Sequence, residues 1–529
     1  MAQSTADALR SSDYRLVLVA ALIAMFVVGY NTTAILTALP DIKSSLDMDA
    51  ETLQWVMNIY LLACAALIAV MGGFADVFGK MRMFLIGLGI FAAGSIGCLF
   101  AGDPVVMLVG RACQGIGGAA ITSISAAIVS VATPEEKRTQ ALGLWAGTIA
   151  FANGVGPLIG GVLTDSIGWR GIFAIDIPLL AIAALLHFRV VKLKLVPDEL
   201  KLGAKIDYLG VGLLIVCLGA FVYGLTNGHM AGWTSLQTLA QFGTAIVAGT
   251  AFVIHERRVA APLVDFSFFR NPQYLASATG MFFAAFLLMG VIYSYNLFVQ
   301  APGAFDFTPV EAGLSLLPFT MMMFVLSLTA PRLLAPHSFR WPITIGMVLM
   351  VAGFWLMHFT SNQTPYSDLW WKLVILGVGI GLAYSLLPRL GLRALPDESA
   401  GQGSGVINTC LFLGASVGIA ASGVVRAEIQ HHAVATAVDK LTSAPSDAET
   451  LVMSLAHGSS SQAAQALAQF SPQQSEMISA AMRGVLDNAF VGVMDMMAIV
   501  ALAGAVAAFL LIRGAGHKAR ATGTPPSNA

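Results

Sequence analysis

The sequence predicts an all-α integral membrane protein with about fourteen transmembrane helices, falling into groups of six, two and six. Three observations predict it. Of 529 residues, 57% are hydrophobic and only 11% charged, whereas soluble domains carry about 25% charged residues. Mean hydropathy is +0.78. Apolar runs of about 20 residues, the length a helix needs to cross a bilayer, recur along the whole chain. Runs of that length read as helices, which pair every backbone N–H and C=O within the segment where lipid offers no partner.

The first six spans are predicted at 15–38, 52–72, 83–101, 104–130, 138–165 and 172–190. Arg15 to Ala38 is too long for the apolar region of a cleavable signal peptide. Spans 2 and 3 are divided by a short turn holding Asp76, Gly79, Lys80 and Arg82. Span 5 carries Gly156-x-x-x-Gly160, a spacing that lets helix backbones approach closely. Two spans follow at 207–226 and 236–254. A second group of six is predicted at 273–299, 310–334, 341–360, 369–391, 402–425 and 488–512. Span 13 repeats the small-residue spacing at Gly414 and Gly418. Glycine-rich helices at corresponding places in two halves fit a protein built from two related bundles, and they equally fit ordinary membrane-helix packing. The expected division is residues 1–190 as an N-terminal six-helix bundle, 191–272 as two inserted helices with their linkers, and 273–529 as a C-terminal six-helix bundle. The long connection 426–487 belongs to this last part. Its Ala-rich stretches, with scattered acids and amides, suggest amphipathic helix lying on the membrane or on the outer mouth.

Charge predicts orientation. With both termini in the cytoplasm, 21 of the 28 Lys and Arg fall on the inner side and five (Lys43, Arg170, Arg426, Lys440, Arg483) on the outer side. Arg111 then lies within span 4 and Lys372 at an outer edge. This obeys the positive-inside rule and predicts a multi-pass plasma (inner) membrane protein whose segment 426–487 is extracytoplasmic. The net charge of −1 leaves no basic excess for a nucleic acid. The five cysteines lie in apolar runs without paired spacing and read as small buried hydrophobes. Neither a metal site nor a cofactor is predicted. Clustered His/Asp/Glu ligands, a nucleophile elbow and a phosphate-binding glycine loop are all missing from the sequence, which argues against an enzyme.

Several stretches carry a family resemblance. Gly72-Gly-Phe-Ala-Asp-Val-Phe-Gly-Lys-Met-Arg82 resembles the cytoplasmic loop motif GxLaDrxGrk of the major facilitator superfamily. It matches at Gly72, Asp76, Gly79 and Lys80 and departs at Val77, where the family usually has arginine. Arg111-Ala-Cys-Gln-Gly115 is similar to the family's RxxqG. Gly143, Gly156-Pro157 and Gly160-Gly161 resemble the antiporter motif of span 5, with Ala152 in place of one glycine. Trp169-Arg-Gly-Ile-Phe-Ala-Ile-Asp-Ile-Pro178 resembles the WRWxFxiNvP stretch of the fourteen-spanner drug:proton antiporters. Ala38-Leu-Pro40, Glu256 through Phe269-Arg270, and Glu311-Ala-Gly313 match that group as well. The resemblance covers nearly every span. It implies two six-helix bundles related by pseudo-symmetry, with spans 7 and 8 as an insertion, working by alternating access: the halves rock about a central site while protons entering drive a substrate out.

Such a machine needs a protonatable group. Aligned on Ala38-Leu39-Pro40, the group's usual aspartate of span 1 is Asn31 here, and an amide does not titrate. The asparagine of the WRWxFxiNvP stretch is instead Asp176. The chain has exchanged an Asn/Asp pair between two places, and Asp176 with Arg111 is expected to form a charge pair that couples transport to protons. The competing reading makes Asp176, two residues ahead of Pro178, an interfacial cap of span 6.

Expected substrate contacts are Tyr30, Asn31, Gln114, Trp145, Asn153, Tyr293, Tyr295, Asn296 and Tyr384, since aromatic faces with a few amides suit amphipathic or cationic organic molecules. Met321, Met322 and Met323 add adaptable apolar surface. Gly72, Asp76, Gly79, Lys80 and Arg82, with the glycines and Pro157 of span 5, are expected to serve the conformational change. Asp495 is read as peripheral and Glu311 as a helix-start acid. His187 and His358 are read as snorkelling, and Asp207, Glu256 and Arg270 as structural. The expected function is export of drug-like or lipophilic compounds by proton antiport. Export of one endogenous metabolite or lipid, and proton-independent exchange or uniport, stay open as alternatives. Expected partners are membrane lipid, a small organic substrate and protons; the sequence leaves a periplasmic adaptor open.

Overall fold

The computed structural model describes residues 2–192, 207–259, 262–302, 304–334, 338–396, 399–439 and 472–512. Fifteen α-helices make up the described chain, with one 3-10 turn at Phe266–Arg270 and no strand. The first bundle is α1 (Ala2–Ser45), α2 (Ala50–Phe78), α3 (Lys80–Leu99), α4 (Pro104–Ala132), α5 (Glu135–Ile167) and α6 (Arg170–Lys192). The inserted pair is α7 (Tyr208–Ala231) and α8 (Leu236–Glu256). The second bundle is α9 (Pro272–Val299), α10 (Pro309–Ser315), α11 (Leu317–Leu333), α12 (Arg340–Met357), α13 (Tyr366–Arg393), α14 (Ala400–Asp439) and α15 (Pro472–Leu511). Among the described residues thirteen helices are long and apolar enough to cross a membrane, and α10 with α11, bent by 46°, pass the same test as a pair, which brings the number to fourteen when the pair is taken as one span. The bend falls where a second helix start, Leu316–Leu317–Pro318, interrupts the hydrogen-bond ladder.

The two bundles repeat one packing device. A β-carbon added at Gly156 or Gly160 of α5 would overlap α1 around Tyr30, Thr33, Ala34 and Thr37. One added at Gly414 or Gly418 of α14 would overlap the backbone of α9 at Phe282 or Phe286. The two Gly-x-x-x-Gly helices thus seat the first helix of each half at corresponding places, which identifies the spacing as a repeat.

The halves meet along two seams. On one, α2 packs on α14: Gly405 lies against Ala69, and Ser416 Oγ donates to Asn58 Oδ1 at 3.2 Å. On the other, α5 packs on α10 and α11, with Gly161 against Pro309 and Gly313 against Pro157. The inserted α7 flanks the first seam, touching α2 and α14. Asn58 Nδ2 reaches Thr226 Oγ1 at 3.5 Å across that contact.

Several helix ends differ from expectation. α1 does not stop at Ala38 but continues through Pro40 to Ser45. α14 runs on to Asp439, and α15 begins at Pro472, well before the expected start at 488. The described ends of segment 426–487 are therefore extensions of spanning helices, whose hydrogen-bond ladders propagate more readily than new helices nucleate. Residues 440–471 lie outside the described residues. The motif turn closes on Gly79, whose φ of 95° favours a residue without a β-carbon. Lys80 Nζ lies 4.0 Å from Asp76 Oδ1 across it.

Replacing Gly160 by Leu should destabilise the protein by about 1–3 kcal/mol or more through overpacking against α1. Gly143→Ala is the control, since nothing lies within 4 Å of a β-carbon there. Thermal unfolding of detergent-purified protein checks this: a clear fall in Tm is expected for Gly160→Leu, and none for Gly143→Ala.

Candidate functional site

Inside the first bundle, four helices bring polar side chains to one point, all of them fully buried. α6 contributes Asp176. It lies six residues, about 9 Å, beyond the helix start at Arg170. It is therefore inside the helix and does not cap it. The short sixth span that the capping reading entailed is absent too, because α6 has 23 residues.

Asp176 Oδ1 accepts from the Tyr30 hydroxyl and from Asn31 Nδ2, the latter at 2.7 Å. Oδ2 accepts from Ser95 Oγ at 2.7 Å and from Gln114 Nε2 at 3.2 Å. The carboxylate thus draws donors from α1, α3 and α4. Gln114 Nε2 also donates to Ser95 Oγ at 2.8 Å. Tyr30 has a second acceptor within reach, the Ile172 carbonyl at 2.6 Å.

Arg111 and Asp176 do not form the direct ion pair expected from the sequence. Gln114, one turn on from Arg111, stands between them. Its Oε1 accepts from Arg111 Nη1 at 2.8 Å, while its Nε2 faces Asp176. Arg111 Nε donates to the Val56 carbonyl at 3.0 Å, and the guanidinium lies over the Tyr60 ring at 4.3 Å. Arg111 Nη2 and Asn31 Oδ1 are left without partners. A buried charge is tolerated only when polar groups replace its lost water. Here the amide of Gln114 conveys the carboxylate's field to the guanidinium as an oriented dipole.

The other expected contacts are dispersed. Tyr30, Asn31 and Gln114 belong to this sealed network. Trp145 Nε1 donates to Ser125 Oγ at 2.9 Å. The Asn153 carbonyl accepts from Thr33 Oγ1 at 3.0 Å. Tyr295 donates to Ser315 Oγ at 3.0 Å, and Asn296 Nδ2 to the Ile292 carbonyl of its own helix at 2.9 Å. Tyr384 is partly buried against the core. Tyr293 lines a separate cavity at the end of the bundle remote from the start of α1, called here the distal end.

Ser95 and Tyr60 were missed in the sequence. Ser95 is the sole hydroxyl of α3, a signal that goes unread because serine is unremarkable in a membrane helix.

Among the lesser candidates, Glu311 closes a capping box with Thr308. Asp207 caps α7 and meets His255 at 2.8 Å. His187 does not snorkel: it is buried, with Nε2 3.0 Å from the Met81 carbonyl. His358 is paired as well, its Nδ1 2.8 Å from Asp495 Oδ1. No cluster able to hold a metal ion occurs among the described residues.

Comparison with known proteins adds three likenesses. The multidrug resistance protein Stp of Mycobacterium tuberculosis (strain CDC 1551 / Oshkosh) is 32% identical over 418 residues, covering 78% of this chain and 76% of Stp. The methylenomycin A resistance protein of Streptomyces coelicolor is 31% identical, covering 75% of this chain and 82% of its own. Among solved structures, a bacterial homolog of the human lysosomal transporter Spinster, inward-facing and unoccupied, superposes with a TM-score of 0.64 at 14% identity. That match covers 94% of this chain and 97% of the homolog and concerns the fold. The sequence model of the Major Facilitator Superfamily matches residues 21–419, the stretch that holds both Gly-x-x-x-Gly pairs and the carboxylate network: the chain belongs to the Major Facilitator Superfamily.

Proposed function

We propose that the protein exports drug-like or lipophilic organic compounds across the plasma membrane by proton antiport. In this reading both termini are cytoplasmic, the distal end is extracytoplasmic, and the halves 1–190 and 273–529 alternate access to a site between them. Relatives named for multidrug and methylenomycin resistance support the substrate class. The observation that carries the coupling is Asp176, an ionisable carboxyl set among donors from three other helices. An acid inside a membrane bundle costs roughly 2.5–3.5 kcal/mol on insertion scales and is retained for a function.

The hydrogen-bond pattern gives the proton a place to go. As a carboxylate, Asp176 accepts from Tyr30, Asn31, Ser95 and Gln114. When it is protonated, its new O–H needs an acceptor. Tyr30 can turn its single hydrogen to the Ile172 carbonyl, 2.6 Å away, and receive the carboxyl hydrogen on its oxygen. Protonation also removes the negative charge that orients Gln114, loosening the chain Asp176–Gln114–Arg111 and with it the contact between α4 and α6. A bundle whose internal ties depend on one proton is a two-state element of the kind alternating access needs. The amide at position 31 cannot titrate, but it donates to the carboxylate that replaces the usual acid, so the exchange of Asn and Asp keeps both groups in one cluster.

Purified protein in liposomes, loaded with ethidium and given a pH gradient, tests this reading. Asp176→Asn should lower gradient-driven ethidium flux at least tenfold, and undiminished proton-coupled flux in that variant would overturn the assignment. Moving the acid back to α1, by combining Asn31→Asp with Asp176→Asn, should restore part of the pH dependence that the single variant loses. Flux by the unaltered protein that ignores the gradient would favour exchange or uniport.

A further inference from the structure

At the distal end a cavity of about 680 Å³ opens between α1 and α2 on one side and α9 and α14 on the other. That size suits a small organic molecule. It is separate from the Asp176 network, none of whose residues lines it.

Three polar side chains set its chemistry. Arg426, on the extension of α14, lines the cavity and makes no hydrogen bond or ion pair among the described residues. One turn on, and therefore on the same helix face, Gln430 is 1% exposed with both amide atoms lacking a partner. Across the cavity Gln54 of α2 is 3% exposed, and its Oε1 lacks a partner. It lies in the space that the missing side chain of Gly423 leaves open. Ser294, whose buried hydroxyl is also unpartnered, borders a water-sized void on the far side of Arg426.

Buried polar groups without partners are rare, and several gathered on one cavity wall point to an absent ligand. Of the acids on the wall, Asp49 caps α2 through the Thr52 N–H at 2.6 Å and Glu428 lies 3.3 Å from His432; Glu51 has a partner of its own, although its Oε1 accepts no hydrogen bond. What the wall lacks is a counter-ion for Arg426. Leu53, Leu297 and Met230 supply apolar surface beside it.

We infer that this cleft binds amphipathic organic anions. A carboxylate or phosphate head pairs with Arg426 and accepts from the Gln430 side-chain Nε2, while an apolar tail lies on Leu53, Leu297 and Met230. A planar guanidinium can meet such a head with two parallel hydrogen bonds. The shared chemistry, an anionic head on an apolar body, belongs both to free organic carboxylates and to anionic lipids.

The test uses the full chain in nanodiscs of phosphatidylcholine, with laurate as the ligand and dodecanol and dodecyltrimethylammonium as equally long comparators. Laurate should bind the unaltered protein at least tenfold more tightly than either comparator and should raise its Tm. Arg426→Gln should abolish that preference and the Tm shift, and Arg426→Lys should retain part of both. Equal binding of the three amphiphiles to unaltered protein would overturn the inference without any variant having to fold, and so would an undiminished laurate preference in Arg426→Gln. Replacing part of the phosphatidylcholine by phosphatidylglycerol distinguishes the sources. Competition with laurate identifies a lipid headgroup as an occupant, and unchanged laurate affinity identifies free carboxylates; either result supports the anion site. Binding is read at equilibrium without a pH gradient, so its outcome is independent of the Asp176 transport result.

Discussion

Asp176 sits where α1, α3, α4 and α6 converge, each of its oxygens taking two donors from helices other than its own. In a low-dielectric interior a carboxylate persists only while such donors surround it. The relative placement of four helices is therefore tied to the protonation of one side chain. Arg111 is held on the same terms: its charge is met by the Val56 carbonyl, the Gln114 amide and the Tyr60 face. Because Gln114 turns one end to each ion, neither charge can change without disturbing the other.

Small residues make that convergence geometrically feasible. α1 packs on two neighbours at once: Gly156 and Gly160 let it approach α5 closely, and against α6 its Asn31 amide meets Asp176. The same spacing on α14 draws in α9 in the second bundle. Membrane helices gain little hydrophobic free energy from packing on one another, since lipid is as apolar as they are. Close backbone approach and buried hydrogen bonds do that work, and here they occur side by side on α1.

Much of the fold was legible in the sequence because its determinants are local. Apolar run length gives the crossings, and charge asymmetry gives their expected direction. Asp176 and Arg111 were legible because ionisable residues stand out in an apolar helix. Their connection was not, since it depends on which rotamer Gln114 adopts and on the rotation of α3 that brings in Ser95. Helix ends were the poorer part. α1, α14 and α15 outrun their apolar segments, because hydropathy reports where lipid ends and a hydrogen-bonded ladder need not end there. The distal cavity was invisible for a related reason. Arg426, Gln430 and Gln54 are ordinary polar residues just past apolar runs, and only the meeting of α2 with the prolonged α14 buries them together.

That prolongation has a mechanical consequence. α14 has 40 residues, or about 60 Å of helix, against a hydrocarbon layer of about 30 Å. A stiff rod of that length turns a slight tilt into a wide displacement at its far end, and α15, whose Gly492 meets Ile429 of α14, is carried with it. Arg426 and Gln430 ride on that arm. Rocking of the halves would therefore open or pinch the distal chamber.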